Sequence, residues 1–169
     1  MADTLRPADV IAAAHAADAA LRPVVGRDWS VRAGPLEWDV EQTVTHMIGA
    51  AAKYTPYLAS RCEHFIGLSI GRWPDATNYE VIDSLVPVAA GLATVAALTP
   101  PDVRAYHVTG PSSAADYIGR ACVELLVHRR RPHRIRRRLR AASGAVPAVA
   151  GLAIPQCGRR RRGVLCGVR

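Results

Sequence analysis

Acidic residues are absent after Glu124, lysine occurs once, at Lys53, and no two of the four cysteines stand at C-x-x-C spacing. Each absence excludes a class. Without C-x-x-C there is no zinc knuckle or dithiol redox motif, and Cys62, Cys122, Cys157 and Cys166 are too few and scattered for a disulfide scaffold. Reduced thiols of a cytoplasmic protein are the expectation. The N-terminal stretch MADTLRPADVIAAAHAADAAL has no basic region followed by an unbroken apolar core, because Asp3, Asp9, His15 and Asp18 interrupt it, so it does not read as a secretory signal. The longest uncharged stretches, Ser84 to Pro101 and Ala141 to Gly158, are rich in Pro, Gly, Ser and Ala and make poor spanning helices. No membrane partner is expected. No segment keeps a strand's two-residue alternation for long, and no internal repeat is found.

What is present divides in two. The chain of 169 residues carries a formal charge of +8, from 22 Lys plus Arg against 14 Asp plus Glu, which taken whole suggests a nucleic-acid-seeking domain. Position along the chain undoes that reading. All 14 acids lie between Asp3 and Glu124 and face nine basic residues, leaving −5 over residues 1–128, while residues 129–169 hold 13 Arg, no acid and no aromatic ring. The length allows one domain with a sizeable core, and 50% apolar content is ordinary for a globular protein.

Four helical segments are expected in residues 1–128. The first runs from about Pro7, a favourable first-turn residue, to Leu21, with Val10, Ile11, Ala14, Ala17 and Leu21 as its apolar stripe, and Pro23 and Gly26 end it. The second opens at Asp39, where Asp39-Val40-Glu41-Gln42 offers an acidic capping box; Val40, Val44, Ile48, Ala51 or Ala52, and Leu58 form its stripe, and Pro56 should kink it or mark a local adjustment late in its course. The third covers about Tyr79 to Leu98, capped by Asn78, with Pro87 in its course. The fourth follows Gly110-Pro111-Ser112-Ser113 and reaches His128. Loops are expected around 29–36 and 65–77. The fold class is therefore all-α, a four-helix bundle, the architecture that builds metal and cofactor sites from inward side chains on neighbouring helices.

Glu124 and His128 are four positions apart, so on a helix they share one face about 6 Å apart along the axis. With Tyr117 and Ala121 they form a stripe flanked by Ile118, Cys122 and Leu125, which sets the carboxylate beside apolar neighbours where it needs a partner. His46, early in the second helix and off the centre of its stripe, can meet them from a neighbouring helix. Together the three would leave one coordination position open, as in catalytic rather than structural zinc sites. An exposed or mutually hydrogen-bonded Glu–His pair is the other reading of the same spacing.

The segments LEWDVEQTVTHMIGAAAKYTPYLA and PDVRAYHVTGPSSAADYIGRACVELLVH resemble the N-terminal domain of mycothiol-dependent maleylpyruvate isomerases, within the DinB-like superfamily of metal-binding four-helix bundles. The likeness covers nearly all of residues 1–128. It implies a divalent metal, usually zinc, on His46, Glu124 and His128, and mycothiol, the low-molecular-weight thiol of actinobacteria, as cosubstrate. A thiolate would attack a small electrophile, giving isomerisation by reversible addition or S-transfer. The other class of reading is a non-catalytic helical module, able to pair as a homodimer, with a basic tail for nucleic acid.

Weaker candidates remain. Cys62, Glu63 and His64 are sequence neighbours that point to different faces. His15, His107 and His133 read as surface or packing residues, Trp29, Trp38 and Trp73 as core or loop anchors or the lining of a substrate entrance, and Cys122 as a small core residue. Residues 129–169 depart from the family, which continues with acids after this helix. CGN arginine codons read one base later become GNC codons for Val, Ala, Asp or Gly, so an out-of-frame GC-rich gene yields such Arg and Ala runs. The tail is therefore read as an irregular, disordered frameshift product. A real basic tail would bind nucleic acid through phosphates, but it lacks aromatic interleaving for base stacking.

Overall fold

The computed structural model of the chain describes residues 5–33 and 37–129, with side chains through Val127. The tail whose irregularity was expected lies outside the described residues, as does the stretch Ala141 to Gly158 and His133.

Helix α1 spans Pro7–Leu21, with Pro7 in its first turn and the Asp9 carboxylate accepting from the Arg6 N–H at 2.7 Å. Its buried face is Val10, Ala13, Ala14, Ala17 and Leu21. A short 3-10 turn, Arg22–Val24, follows, and the buried Trp29 indole donates back to the Val24 carbonyl at 3.1 Å. Helix α2 spans Val40–Ser60, and both bonds of the Asp39/Gln42 capping box form, at 2.7 and 3.0 Å. It continues through Pro56 and ends at Arg61, a non-glycine residue in the left-handed region at φ 52°.

The third expected helix is two. Helix α3 is Asn78–Asp83 and helix α4 is Leu85–Leu98, with Ser84 between them. Pro87 supplies the reason: it has no N–H to give the Asp83 carbonyl, so the ladder breaks there, and Pro87 then falls in the first turn of α4, where the missing donor costs nothing. The cap also moves by one residue. Thr77 bonds the Glu80 N–H, whereas the Asn78 amide donates to the Val25 and Arg27 carbonyls at 3.1 and 3.3 Å and fastens α3 to the chain after α1. Helix α5 is Ala114–Arg129. Before it, Gly110 takes φ 117°, open to glycine without strain, and turns the chain so that Ala105 and Ser112 exchange backbone bonds at 3.0 and 2.9 Å.

Helices α4 and α5 each pack against both α1 and α2, which places α1 and α2 at opposite corners of a four-rod arrangement. The core between them holds Val10, Leu21, Val44, Met47, Leu58, Leu85, Leu92, Tyr117, Ile118 and Leu125. Among the described residues there is no strand, only two isolated bridges, Arg32 with Asp39 and Ala105 with Ser112. The stretch Asn78–Leu98 is long and apolar enough to cross a membrane by length and composition, but Leu85, Ala89, Leu92, Ala93 and Ala96 are buried in the bundle.

Candidate functional site

His46 lies in the second turn of α2 and Glu124 in α5, and the packing of these helices brings Nε2 of His46 to 3.3 Å from Oε2 of Glu124. The Trp38 ring tilts against the imidazole at 5.0 Å between centroids and limits its rotation. The pair sits at the rim of the core, its side chains 40% and 26% exposed, so a small ligand can reach it. His128 lies one turn beyond Glu124 within α5, and its side chain is outside the described residues. The structure thus joins two of the three expected ligands. Two donors bound to one tetrahedral ion at about 2.1 Å lie about 3.4 Å apart, so this separation fits a shared metal as well as a direct contact. No cluster of three His, Cys, Asp or Glu side chains suited to a metal occurs among the described residues.

Two clefts flank the pair. His46 borders one of about 410 Å³, whose far wall is the loop residues Phe65, Gly67, Leu68, Ser69 and Ile70 and whose floor includes Gly49 and Lys53. The loop is pressed onto α2. Tyr57 Oη accepts the Ile66 N–H at 3.0 Å, and Lys53 Nζ stands 4.6 Å over the Phe65 ring. Glu124 borders the other cleft, of about 540 Å³, together with Tyr54, His107, Asp116, Arg120 and Val123. An array of Tyr54, Tyr57, Tyr106 and Tyr117 underlies this side, with centroids 5.2 Å apart for Tyr54 and Tyr117 and 5.8 Å for Tyr57 and Tyr106.

The electrostatics of the second cleft follow from burial. The Tyr117 phenol is pushed up to about 12, chiefly by burial, and donates to the Tyr106 carbonyl, so it is a neutral structural post rather than an acid or base. Burial and then the Glu124 charge raise Tyr54. His107 is held below its ordinary value by burial and then by Arg120. Its Nδ1 accepts the Thr109 N–H at 3.2 Å, which places the proton of the neutral ring on Nε2, facing away from that loop contact.

Sequence reasoning passed over Tyr54 and Arg120 and read His107, which lines the cleft, as a surface or packing residue. A signal existed for the first two: Arg120, Glu124 and His128 recur every four residues on α5, and Tyr54 follows His46 by two turns on α2. His107 comes from the loop before α5, where no periodicity marks it. Among the other candidates, Trp29 is buried in the core, Trp38 packs on His46, and Trp73 is 75% exposed. Cys62 Sγ donates to the His64 backbone carbonyl at 3.0 Å, and His15 and His64 are exposed. Cys122 is half-buried, its thiol pushed up by burial. No protein-family model, curated protein or solved structure matches the chain.

Proposed function

We propose that this chain is a DinB-like bundle that holds a divalent metal, zinc in the simplest case, through His46, Glu124 and His128, and acts as a mycothiol-dependent isomerase or S-transferase on a small electrophile in the cytoplasm. The observation that carries the reading is the 3.3 Å approach of His46 Nε2 to Glu124 Oε2 from two helices, at a rim open to two clefts. When bound, such an ion lowers the pKa of a coordinated thiol so that it is nucleophilic near neutrality.

The chain's own residues do the rest. Glu124 contributes negative charge toward neutralising a cation, and Trp38 keeps the His46 ring aimed across the interhelix gap. The cleft beside His46, with its apolar wall of Phe65, Leu68 and Ile70, receives one reactant and the cleft beside Glu124 the other, so that both meet at the pair.

Elemental analysis of the purified chain tests this directly. About one zinc per chain is expected, lost in His46→Ala and in Glu124→Ala, together with zinc-dependent consumption of an electrophile by mycothiol. Absence of zinc in the folded protein after exposure to the metal would leave a mutually paired His–Glu in a non-catalytic module, and the proposal would fail.

A further inference from the structure

Arg120 stands apart from the metal reading. It is half-buried on α5 and its Nε is shut off from solvent with no hydrogen-bond partner. Among the described residues no carboxylate pairs with its guanidinium and no group hydrogen-bonds to it. Arg120 lines the 540 Å³ cleft together with Tyr54, His107 and Asp116, and its charge bears on all three. The buried Nε without an acceptor is costly, and the charge as a whole has no carboxylate partner among the described residues, so an anion reaching it through the cleft would be favoured. Both acids of the cleft are engaged elsewhere: Asp116 accepts from the Ser113 N–H and hydroxyl at 2.8 and 2.7 Å, and Glu124 stands 3.3 Å from His46 Nε2.

We propose that the cleft between α2 and α5 is a binding site for a small monocarboxylate with an apolar body, its carboxylate held by Arg120. The planar guanidinium matches a carboxylate in shape and charge. Leu5, Ala115, Gly119 and Val123 supply an apolar wall for the body, and the Tyr54 hydroxyl and His107 the polar flank. Asp116 and Glu124 border the same cleft, and their charges disfavour a dianion, which selects a carboxylate over inorganic phosphate.

Hexanoate tests the site, with hexanamide as its neutral counterpart, titrated into the metal-free full chain by calorimetry while the His107 ring signals are followed by NMR. Hexanoate should bind saturably and shift the His107 signals, with hexanamide and inorganic phosphate each at least tenfold weaker. Arg120→Gln should weaken hexanoate at least tenfold and Arg120→Lys should restore part of it. If Arg120→Gln does not fold, Val123→Glu decides. Val123 is 57% exposed, so the change is tolerated, and its carboxylate would occupy Arg120 and abolish hexanoate binding. Equal affinity in the wild-type and substituted chains, tighter binding of phosphate, or no saturable binding overturns the proposal. Because no metal is present in the assay, its failure leaves the zinc reading untouched, and the reverse holds too.

Discussion

Two glycines separate what helix propensity alone decides from what packing decides. Gly91 lies on the exposed face of α4, and a Cβ there would meet nothing within 4 Å. Gly91→Ala is therefore expected to stabilise by about 0.5–1 kcal/mol, because alanine loses less backbone freedom on folding. Gly49, in α2, has the same propensity argument, yet a Cβ there would stand 2.9 Å from the Ile70 carbonyl oxygen. That atom is backbone of the loop that walls the His46 cleft, so it cannot rotate aside. Gly49→Ala should destabilise, with an overpacking cost of about 1–3 kcal/mol exceeding the propensity gain. Thermal unfolding of the two variants should move in opposite directions; a stabilised Gly49→Ala would show that the loop lies loosely on α2. Residue chemistry was legible where it lay on a helical repeat, as for Glu124, which meets His46. It was not legible for His107, which reaches the cleft from a loop, nor for Gly49, whose role depends on a carbonyl more than twenty positions away.

Helix boundaries were the more readable layer, because their determinants are local. The Asp39/Gln42 box and the Pro7 start of α1 were visible as residue types at fixed offsets, and both form. The split at Ser84 had its cause in view, Pro87, but periodicity alone does not say whether a proline bends a helix or divides it. The same reciprocal logic operates at α5. The Ser113 hydroxyl accepts the Asp116 N–H at 3.2 Å and donates to the Asp116 carboxylate at 2.7 Å, and this hydroxyl donor, then the Ser113 backbone N–H at 2.8 Å, holds the Asp116 carboxyl below its ordinary value. A carboxylate depressed in the folded state adds stability above its unfolded pKa and loses it as pH falls through the folded value. Ser113→Ala should therefore cost about 1 kcal/mol at neutral pH, and the gap should narrow as the pH falls below about 4 to the share held by the Asp116 N–H bond, which does not titrate. Urea unfolding at pH 7 and pH 3 measures it, and a gap that does not shrink on acidification would separate the cap from the Asp116 charge. The change also bears on the site, since α5 carries Arg120, Glu124 and His128.

At the scale of the whole molecule the governing fact is charge placed unevenly along the chain. The helical part carries −5 through residue 128 and the remainder +13, and the junction falls beside His128, one of the three proposed ligands. Arg129, Arg130 and Arg131 follow it directly in the sequence. A charge at about 10 Å in a water-like medium opposes a divalent cation by somewhat under 1 kcal/mol, and three of them by about 1.5 kcal/mol once screening is included. Replacing all three, Arg129→Gln, Arg130→Gln and Arg131→Gln, should tighten zinc binding about tenfold at low ionic strength. At about 1 M salt, where the screening length is about 3 Å, the advantage should fall below about twofold. Competition titrations with a zinc chelator at both salt concentrations read this out. An advantage that persists at high salt would mean that the arginines act on the helix end rather than through their field. The sequence showed the charge division but not this consequence, because the consequence depends on α2 and α5 packing together so that His46 and Glu124 meet one turn before that junction.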